Sequence, residues 1–205
     1  MDGRHLGNLV INRVLESHTP FDPQWFFPHS TQEQWDAHAD WLVPTKAFDP
    51  VSRKIVFPIQ SYVVQTSHHN ILIDTCVGND KSRPYLPEWD CRHDATYMTA
   101  LNAHGLSPAD IDFVMCTHLH PDHVGWNTRL ENGQWVPTFP NARYIFSAEE
   151  LKVWESEHQK RPNQALVDSV SPVIAAGQAE LVLNDYAVDD EVWLESSPGH
   201  SPDHV

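Results

Sequence analysis

Short apolar runs separated by polar, proline-rich connections dominate the first half of the chain, and stretches of helical spacing enter in the second. Residues 9–15 are mostly apolar and predict a first strand. Residues 56–66 and 71–75 flank the polar turn Ser67-His68-His69-Asn70 and predict a hairpin, which makes His68 and His69 turn residues. Residues 111–117 read as a buried strand, and residues 143–146, 181–183 and 192–194 as further strands. Helical spacing covers residues 92–104, stopped by Gly105, and residues 164–176, broken near Pro172 and closed by Gly177. Ser107-Pro108-Ala109-Asp110 places a cap before a proline and predicts a short turn. Ser147-Ala148-Glu149-Glu150 has the form of a capping box opening a helix, with Leu151 and Trp154 facing inward. Residues 19–50 are irregular and rich in Pro and aromatics, with Thr31 capping a short helix that carries Trp35, Ala39 and Leu42 on one face.

Strand pairs at the start and mixed strand–helix units later place the chain in the α/β class. No repeat or low-complexity run divides it, so residues 1–205 read as a single domain, with 1–50 supplying the N-terminal strand and the aromatic segment. A hydrophobic fraction of 40% and eight Trp argue against disorder. No stretch is apolar for long enough to span a bilayer, and Met1-Asp2-Gly3-Arg4-His5 lacks the apolar core of a signal peptide. The expectation is a cytoplasmic protein without a membrane partner. Three cysteines, Cys76, Cys91 and Cys116, are too few and too irregular for a disulfide framework and read as reduced. The net charge of −15 opposes nucleic acid as a partner.

The chemistry is concentrated in His118-Leu119-His120-Pro121-Asp122-His123, directly after the strand at 111–117. In an extended backbone, residues two apart point the same way, so His118 and His120 can reach one ion together. Pro121 bends the chain and turns Asp122 and His123 toward a second ion. Imidazoles with one carboxylate suit Zn²⁺ or a similar divalent metal better than Ca²⁺ or Mg²⁺, which prefer oxygen shells. Fourteen His make some clustering inevitable, but a second His-bearing turn, Pro198-Gly199-His200-Ser201-Pro202, also follows a predicted strand.

The pattern His118-x-His120-x-Asp122-His123-x-Gly125, followed by Ser197-Pro198-Gly199-His200, resembles the metallo-β-lactamase-fold superfamily of hydrolases, and within it the lactonase and organophosphate-hydrolase branch. The resemblance implies an αββα sandwich of two mixed sheets with helices outside and the site at one edge. It implies that His118, His120 and His200 hold a first metal and Asp122 and His123 a second, with Asp74 bracing the metal loop from behind. Two Zn²⁺ are expected in the full-length protein, with Mn²⁺ or Fe as alternatives. It further implies a metal-bound hydroxide that attacks a small-molecule lactone or ester, with Asp122 passing a proton to the leaving group.

His93 and His104 are expected to be surface or satisfied groups on a helix, and His204 to support the ligand turn. Asp203 stands where the family has Gly. In the family, a later strand and turn supply a bridging carboxylate and a last His, so the expectation is that the C-terminal part of the fold lies beyond Val205. Phosphotriester hydrolysis, hydrolytic dehalogenation and a truncated, inactive metal-binding remnant stand as alternatives. The aromatics Phe21, Trp25, Phe26, Phe27, Trp35, Trp41 and Phe48 are expected to be core packing or a homodimer contact, with a substrate lid as the other reading.

Overall fold

The computed structural model describes residues 3–205; Met1 and Asp2, part of the charged start noted above, lie outside the described residues. The chain packs as two compact units. One joins the chain up to Leu15 with Gln60–Val205, and the other is Glu16–Ile59.

Among the described residues, ten strands and seven α-helices follow in the order β1 (Arg4–Leu6), β2 (Leu9–Phe21), α1 (Pro23–Phe26), α2 (Gln32–Ala37), α3 (Ala39–Leu42), β3 (Phe48–Asp49), β4 (Lys54–Gln65), β5 (Asn70–Ile73), α4 (Thr96–Asn102), β6 (Phe113–Met115), α5 (Pro121–Val124), β7 (Thr128–Glu131), β8 (Gln134–Pro137), β9 (Arg143–Ser147), α6 (Ala148–Lys160), α7 (Ser171–Ala175) and β10 (Ala179–Val182). The main sheet runs β1-β2-β4-β5-β6-β9-β10 with β3 beside β4, and β7-β8 form a separate ribbon. The pairs β1–β2, β3–β4 and β4–β5 are antiparallel. From β5 through β6 and β9 to β10 the sheet is parallel.

The parallel half explains its own sequence. Strands covered on both faces read as continuous apolar runs. Ile71, Leu72, Val114, Met115, Tyr144, Ile145 and Phe146 are all buried. Ile71, Met115, Ile145 and Val182 form one core cluster, against which Val64, Phe113, Val192 and Leu194 pack. Burying each such side chain contributes about 1.5–3 kcal/mol. At the ribbon side of the unit, Arg83 donates a two-pronged bond to Asp168 (2.8 and 2.9 Å), and Lys81 donates to Thr128 Oγ1 at 2.5 Å. Burial, offset in part by Asp168, pulls the Lys81 amine down to about 7.

In the second unit, Phe21 is the buried centre, with the rings of Trp25, Phe26 and Phe57 at 5.1–5.4 Å. Trp35 stacks on Phe48. Trp25, Phe26, Phe27 and Trp41 nonetheless keep large exposed surfaces. Thr31 opens α2 with a full capping box to Gln34, but the predicted single helix divides at His38 into α2 and α3.

Three further expectations are corrected. Residues 192–194 form no strand; Trp193 makes only an isolated bridge to Ala187, and Val192 and Leu194 serve the core as side chains. The helix expected from residue 92 begins at Thr96, where the Asp94 carboxylate accepts the Thr96 N–H. His93 therefore lies in the preceding loop, paired with Asp80, and His104 lies past the helix, bonded to the Arg13 carbonyl. Among the described residues, no helix is long and apolar enough to cross a membrane.

Candidate metal centre

Parallel strands gather their C-terminal ends on one edge of the sheet, the usual place for a site in such folds. Here Asp74 directly follows β5, β6 leads into the turn from Thr117 to His123, and β9 ends at Ser147, with Glu150 in the first turn of α6. Asp74 leaves β5 with φ 57° and Cys76 with φ 53°. This left-handed exit, which Asp tolerates better than most residues, turns the chain sharply back under the metal turn. The two segments are stitched backbone to backbone: Thr75 N–H to His123 O (2.7 Å), Gly125 N–H to Cys76 O (2.8 Å) and Trp126 N–H to Thr75 O (2.8 Å). Gly125 is required by this approach. A Cβ there would lie 1.8 Å from the Val77 carbonyl oxygen.

Three imidazole nitrogens converge above the strand ends. His118 Nε2 lies 2.9 Å from His120 Nδ1, which lies 3.1 Å from His200 Nε2. Ligand atoms of the three all fall within 4.8 Å of one another. Thr117 Oγ1 donates to the Asp74 carboxylate at 2.9 Å, so its oxygen accepts from His118 Nδ1 at 3.1 Å. That fixes the His118 tautomer and leaves the Nε2 lone pair facing the cluster. Burial, together with the neighbouring imidazoles, drives the His118 pKa far below the ordinary value, and burial and His200 lower that of His120. Both rings are therefore neutral at neutral pH, which is the form that binds a metal. Three imidazole nitrogens packed this closely fit a borderline divalent cation.

Beside this trio, the His123 ring centroid is 4.0 Å from that of His118. His123 Nδ1 donates to Asp74 Oδ2 at 2.8 Å, and Nε2 lies 3.4 Å from Asp122 Oδ2. Burial opposes the charge on His123, but the two carboxylates outweigh it and hold the group at about 10. The carboxyl of Asp122 is disfavoured by burial yet held below its usual range by His123. Asp74 is the hub: it accepts from Thr117 N–H (2.8 Å), the Thr117 hydroxyl and His123 Nδ1. His204 packs its ring 4.9 Å from His118 and is held by Ser197 Oγ at 2.8 Å.

Of the five expected ligands, His118, His120 and His200 form one group able to hold a metal, while His123 lies beside His118 and Asp122 beside His123, with Asp74 behind. Sequence reading overlooked the Thr117 hydroxyl and the use made of Glu150, which accepts from Leu119 N–H and Asp203 N–H rather than closing a capping box. A hydroxyl directly before the first His of the motif was the available signal for Thr117. Nothing in the local spacing distinguished Glu150.

The family model described as the metallo-beta-lactamase superfamily matches residues 55–204. The chain belongs to that superfamily. The fold and the histidine cluster together imply metal binding in this superfamily member. Two curated relatives are N-acyl homoserine lactonases. That of Bacillus cereus is 26% identical over 159 residues, covering 72% of this chain and 56% of its own length. AiiB of Agrobacterium fabrum is 32% identical over 102 residues, covering 43% of this chain and 35% of its own. The chain thus spans 56% and 35% of those relatives. Among solved structures, a probable metal-dependent hydrolase from Staphylococcus aureus superposes with TM-score 0.78 at 19% identity over 98% of this chain and 68% of that one. AidC, a dizinc quorum-quenching lactonase in complex with a product, gives TM-score 0.73 at 19% identity over 98% of this chain and 67% of that one. These likenesses show the metallo-β-lactamase fold.

Proposed function

We propose that this chain carries the metal centre of a metal-dependent hydrolase acting on a small-molecule lactone or ester. The observation that carries the reading is the convergence of His118 Nε2, His120 Nδ1 and His200 Nε2 at separations of 2.9 and 3.1 Å. His118, His120 and His200 would hold a first Zn²⁺, and Asp122 and His123 would contribute to a second. Bound metal would supply an activated water as nucleophile and a positive charge at the developing oxyanion.

The chain's own residues supply the rest. Asp74 and Thr117 fix which nitrogen of His118 and His123 faces the centre, so neither ring reorients on binding. Asp122 Oδ2 would hold the proton lost by the attacking water and return it to the leaving-group oxygen. The lactonase relatives support the choice of lactone as the favoured bond.

The test is a Zn²⁺ titration of the chelator-treated chain, joined to hydrolysis assays with N-hexanoyl homoserine lactone and simple aryl esters. Wild type should bind Zn²⁺ tightly, and His120→Ala should lose metal and turnover together. Equal turnover in the chelated protein would overturn the hydrolytic mechanism, and absence of Zn²⁺ binding by the wild type would overturn the metal site.

A further inference from the structure

The glutamate of the predicted capping box is used elsewhere. Ser147 does its half, its Oγ accepting the Glu150 N–H at 3.1 Å. The Glu150 side chain, however, turns away from the helix start and is 1% exposed. One carboxylate oxygen, Oε1, accepts from Trp154 Nε1 at 2.7 Å and from Leu119 N–H at 3.4 Å. The other, Oε2, accepts from Asp203 N–H at 3.0 Å.

Those partners matter because of where they sit. Leu119 lies between His118 and His120, on the turn after β6. Asp203 follows His200, on a turn 80 residues away in sequence from His120. A single planar carboxylate therefore bonds both ligand-bearing turns, one through each oxygen. Its third donor, Trp154, places its ring edge-on to His120 with centroids 5.2 Å apart. A second strap holds the same turn from outside: the Asp203 side chain takes a short bond from Ser147 Oγ and another from Asn184 Nδ2 at 3.1 Å. Hydrogen bonds from N–H groups to a buried carboxylate are stronger than neutral ones and fix geometry. Residues 195–205 include no helix or strand, so the position of His200 rests on such bonds; beside those of Glu150 and Asp203, the Val205 N–H bond to the Thr117 carbonyl at 3.1 Å also ties the two turns.

We propose that Glu150 is the positioning residue of the metal centre: it sets the separation between the His118–His120 pair and His200. The proposal rests on the reading of these histidines as metal ligands. Glu150 touches none of the expected metal positions and acts only through the two turns.

Glu150→Gln tests it while keeping side-chain size. An amide can present its oxygen to one turn only, and its N–H₂ then confronts the N–H of the other. The probe is Zn²⁺, titrated calorimetrically into the chelator-treated 205-residue chain, with melting of the metal-free protein measured in parallel. Glu150→Gln should weaken the tightest Zn²⁺ site by about 10–100-fold, the usual effect of losing a ligand-orienting partner. In a His200→Ala background, the same substitution should change affinity no further, because its effect passes through His200.

Trp154→Phe, which removes the 2.7 Å donor to Glu150 Oε1 and keeps an aromatic ring beside His120, should weaken the same site by a smaller factor. It carries the test if Glu150→Gln fails to fold. Wild-type affinity in Glu150→Gln, or in Trp154→Phe where only that variant folds, would overturn the proposal, as would a full additive loss in the His200→Ala background. Either result would leave the metal reading standing, since that falls only if the wild type itself binds no Zn²⁺.

Discussion

Replacing Asp74 by Asn is the sharpest test of how the turn from Thr117 to His123 is prepared. The substitution preserves shape but exchanges one acceptor oxygen for an N–H₂ group. Oδ1 keeps the Thr117 N–H bond of 2.8 Å. At the other position, an amide donor now faces His123 Nδ1–H, across what was a 2.8 Å bond to Oδ2. Two donors cannot share that contact, so Nδ1 must give up its proton, leaving a neutral His123 that carries its one proton on Nε2, the nitrogen directed toward Asp122.

A lost hydrogen bond to a charged group costs about 1.5–3 kcal/mol. At about 2–4 °C per kcal/mol for a chain of this length, the metal-free Tm should fall by about 3–12 °C. Reversing the tautomer removes the lone pair that would meet a second ion, so affinity there should fall by about 10–100-fold. Calorimetric Zn²⁺ titration, differential scanning calorimetry and ¹⁵N spectra of the histidine rings read the three effects separately. An Asn variant with wild-type Zn²⁺ affinity and an unchanged His123 ring spectrum would refute the reasoning.

Three other outcomes follow from the same geometry. His118 and His120 have folded pKa values below the unfolded value of about 6.5, so the metal-free chain should lose stability as pH falls below that value. His123 is shifted the opposite way, to about 10; its contribution is complete below about pH 6.5 and is lost as pH rises toward 10. Melting temperatures of the chelated protein should therefore decline between pH 7 and 10, and a flat profile there would contradict the His123 assignment. Gly125→Ala should cost about 3 kcal/mol or more in urea unfolding, because its Cβ meets the Val77 carbonyl, which is backbone and cannot swing aside. Gly133→Ala, with φ 77° but nothing within 4 Å, should cost only the left-handed strain of about 1–2 kcal/mol; equal losses in the two variants would remove the steric argument.

Much of this arrangement is local and is therefore written in the sequence. The continuous apolar run before His118 reflects a strand buried on both faces, and the two-residue spacing of His118 and His120 reflects the alternation of extended backbone. Pro121, Thr31 and the turn at Ser107–Asp110 act within a few residues, through fixed φ values and nearby N–H groups. Tertiary structure decided the rest. Residues 192–194 have the composition of a strand, but an apolar triplet fits a core face equally well without a ladder, and the cluster around Ile71 and Met115 claims its side chains. Asp74 meets Thr117 and His123 from 43 and 49 residues away, and Glu150 joins Leu119 to Asp203 across 31 and 53 residues. A capping box competes with such distant donors, and which N–H groups a buried carboxylate finds depends on how the strand ends gather. Spacing along the chain supplies the ligands; only the folded sheet edge supplies the groups that aim them.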